Sequence, residues 1–228
     1  MTPVERPERP VAPPSLGRLG TGLAWLAGTQ GGWPPCAPRR AAYLDVTDGQ
    51  GLAQGRVEAD ALADSGVDLL TLEASGDPVP SLVVICALLD LEPVLAVGTS
   101  TDPDWPVRLV AVRDGLRAAR PHVGDPEQLA ADPVVGRLAG LLTQCAVRRT
   151  GVVLGGSVVL AAAGLIAERM SPGARHWWFA GSAPSSTAAR LALADLALDP
   201  LLELGLEVPG GGRLATDLLL RGVELAGA

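Results

Sequence analysis

Apolar residues recur at helical spacing over residues 16–29, 56–64, 80–89, 105–120, 134–148, 157–170, 185–196 and 213–225. Between them lie apolar runs too short for helices, at residues 41–46, 67–72, 93–97, 151–154 and 176–180, which are expected to be strands. Punctuation supports these boundaries. Ser15 is expected to cap the first helix and Gly31-Gly32 to end it; Asp102 or Asp104 precedes Pro106 at a favourable first-turn position; Pro172-Gly173 breaks the helix that starts at Ser157; Ser185 or Ser186 caps the next. Gly151-Val152-Val153-Leu154 is continuously apolar, as in a strand buried on both faces of a parallel sheet.

Strands alternating with helices predict an α/β fold: a doubly wound parallel sheet, Rossmann-like, in three α/β/α layers, with the first and last helices packed together as a small helical subdomain. Residues 1–14, with Pro3, Pro7, Pro10, Pro13 and Pro14, read as a disordered or extended arm, and residues 15–228 as one domain. Ligands in such folds bind beyond the carboxyl ends of the strands. That directs attention to the loops starting at Thr47, Glu73, Gly98, Gly155, Gly181 and Val208.

Composition narrows the chemistry. All 18 basic residues are Arg, which excludes Schiff-base chemistry and a P-loop lysine. A formal charge of -7 argues against nucleic acid, since phosphate neutralisation needs clustered cations, and Arg39-Arg40 and Arg148-Arg149 read as isolated, solvated pairs. Cys36, Cys86 and Cys145 lack metal-site spacing, and the latter two lie in apolar helical runs as small core residues. His122 and His176 have no triad or metal spacing. No cofactor or metal is implied. No apolar run is long enough to span a bilayer and no leader is evident, so a cytoplasmic protein is expected.

Three loops carry candidate chemistry. Glu73 follows a strand, as a base or ligand at the sheet edge, or else Glu73 or Asp77 caps the next helix. Gly98-Thr99-Ser100-Thr101-Asp102 offers hydroxyls and N–H groups as an anion cradle, or is an ordinary turn with an Asp cap. Gly210-Gly211-Gly212-Arg213 lets the backbone approach a phosphate with Arg213 pairing it, or is a flexible connector.

Four stretches together resemble the nicotinate-nucleotide:dimethylbenzimidazole phosphoribosyltransferases of cobalamin lower-ligand assembly. Pro14-Ser15-Leu16-Gly17-Arg18-Leu19 resembles the family's G-S-L-G-R-L-E opening; Asp68-Leu69-Leu70-Thr71-Leu72-Glu73 resembles the strand entering its G-E-M-G-I-G-N-T-T loop; Ala96-Val97-Gly98-Thr99-Ser100-Thr101 resembles its V-G-R-G-T-G turn. The longest stretch runs from Gly151-Val152-Val153-Leu154-Gly155-Gly156 through Asp199-Pro200-Leu201-Leu202-Glu203-Leu204-Gly205-Leu206. The departures fall on polar loops. Pro78-Val79-Pro80 stands for N-T-T and supplies one N–H instead of three; Gly155-Gly156 stands for D-G; Gly181-Ser182-Ala183-Pro184-Ser185-Ser186-Thr187 stands for S-H-R-S-A-E-P. The Glu of L-G-E-G-T-G-A, the family's general base, falls at Gly210, with Glu207 on the other side of Pro209. Family members are considerably longer, and the resemblance places the difference between Gly55 and Val67, where the family carries much of its benzimidazole pocket.

The resemblance therefore implies a shortened, catalytically impaired relative acting as a non-catalytic subunit or scaffold, as a homodimer or as a heterodimer with a full-length relative. Two alternatives stand beside it. One is an active transferase using Glu73 or Glu207 as base and Arg213 or Arg108 for phosphate. The other is a binding protein for a nucleotide, benzimidazole, ribazole or cobamide fragment, with Gly98, Thr99, Ser100, Gly155, Gly210, Gly211, Gly212 and Arg213 around the ligand.

Overall fold

A computed structural model describes residues 4–98, 103–206 and 209–226. Four parallel strands form the sheet: β1 (Ala41–Val46), β2 (Leu69–Ala74), β3 (Gly151–Leu154) and β4 (Trp178–Ala180), in the order β1-β2-β3-β4. Between β1 and β2 runs α2 (Leu52–Asp64). Between β2 and β3 run α3 (Pro78–Leu89), α4 (Pro93–Val97), α5 (Trp105–Ala119), α6 (Pro126–Leu129) and α7 (Pro133–Val147), and α8 (Val158–Met170) joins β3 to β4. A strand order that never reverses, with crossovers of one hand, puts every connecting helix on one face. The other face is free for elements at the chain's two ends.

Side-chain alternation divides the core accordingly. Leu70, Leu72 and Ala74 of β2, Val152 and Leu154 of β3, and Trp178 and Ala180 of β4 pack with the crossover helices in the larger core. Leu69, Val153 and Phe179 face the opposite way, onto α1 (Gly17–Gln30) and α10 (Gly211–Ala226) through Trp25, Leu26, Ala215 and Leu219. Trp25 stacks on Phe179 with ring centroids 5.3 Å apart. The result is the expected parallel α/β fold with helices on both sides of the sheet. The first and last helices do pack together, and they do so on the sheet's second face.

Past the end of β4 the chain continues as β5 (Ser182–Pro184), which pairs in parallel with β6 (Leu202–Leu206); α9 (Thr187–Asp195) lies between them. This two-stranded ribbon stands over the carboxyl edge of the main sheet. Residues 4–13 have no regular structure until the turn at Pro14–Leu16, and they lie along the domain. The Val4 N–H donates to the Pro172 carbonyl at 3.2 Å, and Trp177 Nε1 donates to the Glu5 carbonyl at 3.0 Å.

Several sequence expectations are corrected. Residues 93–97 are a helix, not a strand: Pro93 sits at the first helical position, where its fixed φ suits a helix, and a five-residue apolar run carries no periodicity to oppose that. The strand expected at 176–180 shrinks to Trp178–Ala180 because residues Ala174–Trp177 coil into a 3-10 turn after Gly173, whose φ is +94°. Ser15 lies within a 3-10 turn and caps nothing; α1 starts at Gly17 without a side-chain cap. Ribbon strands β5 and β6 are not among the expected strands: β5 is three residues long and ends in proline, and β6 is a five-residue segment, Leu202-Glu203-Leu204-Gly205-Leu206, whose alternation the sequence reading passes over.

Candidate ligand site at the carboxyl edge of the sheet

Glu73 is the next-to-last residue of β2 and shares its face with Leu69 and Thr71, toward α10. Thr71 and Thr216 of α10 bond through their hydroxyls at 2.6 Å, which fixes α10 against β2. One turn earlier on α10, the Gly212 N–H donates to Glu73 Oε1 at 2.7 Å and the Arg213 N–H donates to the same oxygen at 3.3 Å. The carboxylate of Glu73, only 2% exposed, therefore sits on the positive end of a helix that starts 138 residues later. Glycines give it room. A Cβ at Gly155 would lie 1.9 Å from Glu73 Oε2, and one at Gly212 would lie 3.0 Å from Oε1.

Burial pushes the Glu73 carboxyl above the ordinary range, the N–H groups of Gly212, Gly210 and Arg213 oppose this, and the charge of Asp45 pushes it further up. Asp45 is the register partner of Glu73 on β1.

Beside Glu73 opens a cavity of about 570 Å3, of a size that suits a small organic ligand. Glu73 through Gly76 form one wall, with Gly156 and Ser182 behind, Gly211 and Pro209 below, and Ala96, Gly98 and Arg108 at the α4–α5 side. Three helices begin on it: α3 at Pro78, α8 at Ser157 and Val158, and α9 at Ser186 and Thr187. Among the described lining residues, Glu73 is the only carboxylate and Arg108 the only cation.

Of the sequence candidates, Glu73, Gly98, Arg108 and Gly211 line the cavity. Gly155 and Gly212 lie behind them, wrapped on the Glu73 carboxylate. Gly98 follows helix α4, so its loop does not leave a strand, and its carbonyl accepts the Trp105 indole N–H. Thr99, Ser100 and Glu207 lie outside the described residues. Gly210 adopts φ +133° ahead of α10. Arg213 directs its guanidinium over the Tyr43 ring, 5.5 Å from the centroid, on the outer side of β1. The N–H groups of Gly212 and Arg213, candidates for a phosphate, are thus engaged by the chain's own carboxylate. Asp77 caps α3, accepting from the Val79 N–H at 2.9 Å, while Glu73 caps α10.

Sequence reasoning did not single out Ser182. It is 1% exposed, lines the cavity, and its hydroxyl has no hydrogen-bond partner. It lies in a three-residue strand with no local signature. The two arginine pairs meet at the opposite, amino edge of the sheet, where their charges are largely self-neutralised: Arg39 lies 3.6 Å from Asp68, Arg148 pairs with Asp60 and Asp64, and Arg149 with Glu5. His176 is not among the residues that line the cavity; burial, then the nearby Arg6, Arg175 and Arg9, pull it down to about 4. Burial pushes the Cys86 and Cys145 thiols up to about 11 and about 12, consistent with inert core residues. Among the described residues no group of acidic, His or Cys side chains could hold a metal ion, and no helix is long and apolar enough to cross a membrane.

Fold and cavity together define a parallel α/β protein with a cavity of small-molecule size at the carboxyl edge of its sheet, the place where ligands bind in such folds. Residues 46–225 match the family model described as "Phosphoribosyltransferase". Nicotinate-nucleotide–dimethylbenzimidazole phosphoribosyltransferases from Mycobacterium tuberculosis and Mycobacterium ulcerans are each 40% identical to the chain, over 177 and 180 residues. Those alignments cover 74% and 75% of this chain and 49% of each relative. A crystal structure of the corresponding protein from Thermus thermophilus superposes with a TM-score of 0.80 at 22% identity, covering 97% of this chain and 92% of that one. The chain belongs to the nicotinate-nucleotide–dimethylbenzimidazole phosphoribosyltransferase family. It spans about half the length of the curated relatives it matches.

Proposed function

We propose that this chain binds a nucleotide of the nicotinate mononucleotide class at the carboxyl-edge cavity, does not transfer its phosphoribosyl group, and serves cobalamin lower-ligand assembly as a non-catalytic subunit, paired with itself or with a full-length relative. The observation that carries this reading is the engagement of Glu73. A general base must present a free lone pair to the proton it removes. Glu73 Oε1 accepts from two α10 N–H groups, and Oε2 is pressed onto Gly155. At position 210, where the resemblance places the family's base, the glycine conformation at φ +133° is one that an L residue such as Glu rarely adopts. The cavity remains of nucleotide size although the carboxylate on its wall serves α10.

The test is incubation with nicotinate mononucleotide and 5,6-dimethylbenzimidazole, following nicotinate release and, separately, the thermal midpoint. A raised midpoint without release is the expected result; a ligand at a hundred times its Kd adds about 2.7 kcal/mol. A second reading, an active transferase, is favoured by the raised proton affinity of Glu73. In that reaction the C1′–N bond to nicotinate breaks, the azole nitrogen bonds to C1′, and its proton passes to Glu73. Nicotinate release that disappears in Glu73→Gln would establish this second reading and overturn the first.

A further inference from the structure

We infer that the open edge of β1 pairs antiparallel with the same edge of a second copy of this chain, about a two-fold axis through Tyr43, so that the two main sheets join as one. This inference rests on the self-pairing arm of the reading above and names the surface that carries it.

Strand β1 stands at the end of the strand order and pairs with β2. The Arg40 and Val46 carbonyls accept from the Asp68 and Ser75 N–H groups, each at 3.1 Å, so the even-numbered residues of β1 turn their backbone groups to β2. Alternation turns the N–H and C=O groups of Ala41, Tyr43 and Asp45 outward, and no described residue bonds them. The side chains of these residues are exposed as well. They lie on the α10 side of the sheet, where the buried core draws on Leu69 of β2, Val153 of β3 and Phe179 of β4 and on no residue of β1. The far edge of the same sheet is already met by the returning chain: the Ala180 and Gly181 carbonyls accept from the Leu201 and Leu202 N–H groups at 2.9 and 3.0 Å. With one open edge per copy, the assembly closes at two instead of propagating.

Charge selects the direction of pairing. Edge strands are commonly guarded by charged residues, and β1 has Arg39 just before it and Asp45 near its end. In a parallel pairing in register the guard holds, because like charges meet. About the two-fold axis it inverts. Tyr43 then lies opposite the partner's Tyr43, and Asp45 opposite the partner's Ala41, so every outward backbone group finds its complement. The partner's Arg39 lies diagonally from Asp45, about 7–8 Å away and within reach of its long side chain. The Arg39 side chain is 93% exposed, and the Asp68 pair it would leave, at 3.6 Å, is a weak surface contact. The two Tyr43 rings meet across the axis, each with its own Arg213 guanidinium 5.5 Å from its centroid.

Sedimentation equilibrium of the full chain over a concentration series tests this, with amide exchange followed by NMR at both ends of the series. A reversible dimer is expected, in which the Ala41, Tyr43 and Asp45 amides exchange more slowly as concentration rises while those of Ala42, Leu44 and Val46 are slow throughout. Tyr43→Pro removes an N–H that faces away from β2, which an edge strand tolerates, and is expected to abolish the dimer while the monomer keeps its circular dichroism. If that variant does not fold, charge reversal decides. Asp45→Arg and Arg39→Asp are each expected to weaken dimerisation about tenfold, through two like-charge contacts across the axis, and the double variant to restore it. Single reversals that the double variant does not restore overturn the antiparallel register. A dimer that neither Tyr43→Pro nor charge reversal alters overturns the edge and leaves self-pairing standing. A wild-type chain that stays monomeric throughout overturns the edge and self-pairing together, and nucleotide uptake at the carboxyl-edge cavity is read separately.

Discussion

Two glycine-lined seams bury a charged side chain in this molecule, and they do it by opposite means. At the carboxyl edge, the Glu73 carboxylate is held by backbone N–H groups at the start of α10. Between α2 and α7, the Arg137 guanidinium is held by side chains: Nε and Nη2 pair with the two oxygens of Glu58 at 2.9 Å each, and Nη1 reaches Asp48 Oδ1 at 2.8 Å and its carbonyl at 2.9 Å. The first seam neutralises a charge without supplying a counter-ion, so the carboxyl is left easier to protonate. The second supplies carboxylates and raises the guanidinium's hold on its proton. Glycine serves different ends in the two places. Around Glu73 it makes room for a side chain, whereas at the α2–α7 crossing it brings backbone onto backbone. A Cβ at Gly55 would lie 1.9 Å from the Arg137 carbonyl, and one at Gly140 would lie 2.2 Å from the Leu52 carbonyl. Glycines of equal prominence in the sequence therefore mark packing in one seam and an ionisable site in the other.

Breaking the seams should separate them. The largest effect is expected at the crossing, where nothing flexible can yield: Gly55→Ala should destabilise by about 3 kcal/mol, seen as a lower denaturation midpoint with an unchanged denaturant slope. Arg137→Met comes next, at about 2 kcal/mol, since the Glu58 pair is only partly screened by solvent, with side chains 11% and 24% exposed, and its loss leaves Glu58 without its cation. At the carboxyl edge, Gly155→Ala should cost about 1–2 kcal/mol, because the atom it meets is the tip of a side chain. That cost should shrink in Glu73→Ala, and a double-mutant cycle measures the coupling. Equal costs of Gly155→Ala in both backgrounds would show that Oε2 does not lie on Gly155.

Much of the layered fold was legible because helix periodicity and caps are local. Pro106, Pro172-Gly173, Ser157 and Ser186 punctuate helices that the structure contains, and the apolar run of β3 could be read as buried on both faces. Residues 93–97 were misread because five apolar residues have no period, so a proline at the first position decided the outcome. The ribbon β5–β6 was invisible because its pairing is set by the chain that follows β4, with the Leu201 and Leu202 N–H groups donating to the carbonyls of Ala180 and Gly181. The carboxyl edge, and Glu73 on it, follow from strand–helix alternation. The partner of Glu73 does not. A bond across 139 residues leaves no local pattern, and the glycine loop that makes it reads as readily as a phosphate cradle.

The smallest expected effect is also the sharpest test of how the first seam handles charge. Folding raises the Glu73 pKa above its value in the unfolded chain, chiefly through burial. The folded state therefore binds more protons than the unfolded state between those two values, and stability falls as pH rises through that window. Below the ordinary carboxylate range both states are protonated and the penalty is absent; above the raised pKa it is complete. Glu73→Gln keeps an oxygen for the Gly212 N–H and removes the buried charge. Its thermal midpoint should match the wild type at the acid end of the window and exceed it at neutral pH, flattening that part of the stability profile. A Gln variant that is instead less stable at neutral pH would mean that the N–H groups of α10 outweigh burial and Asp45 together. Glu73 would then be a permanently charged anchor for α10.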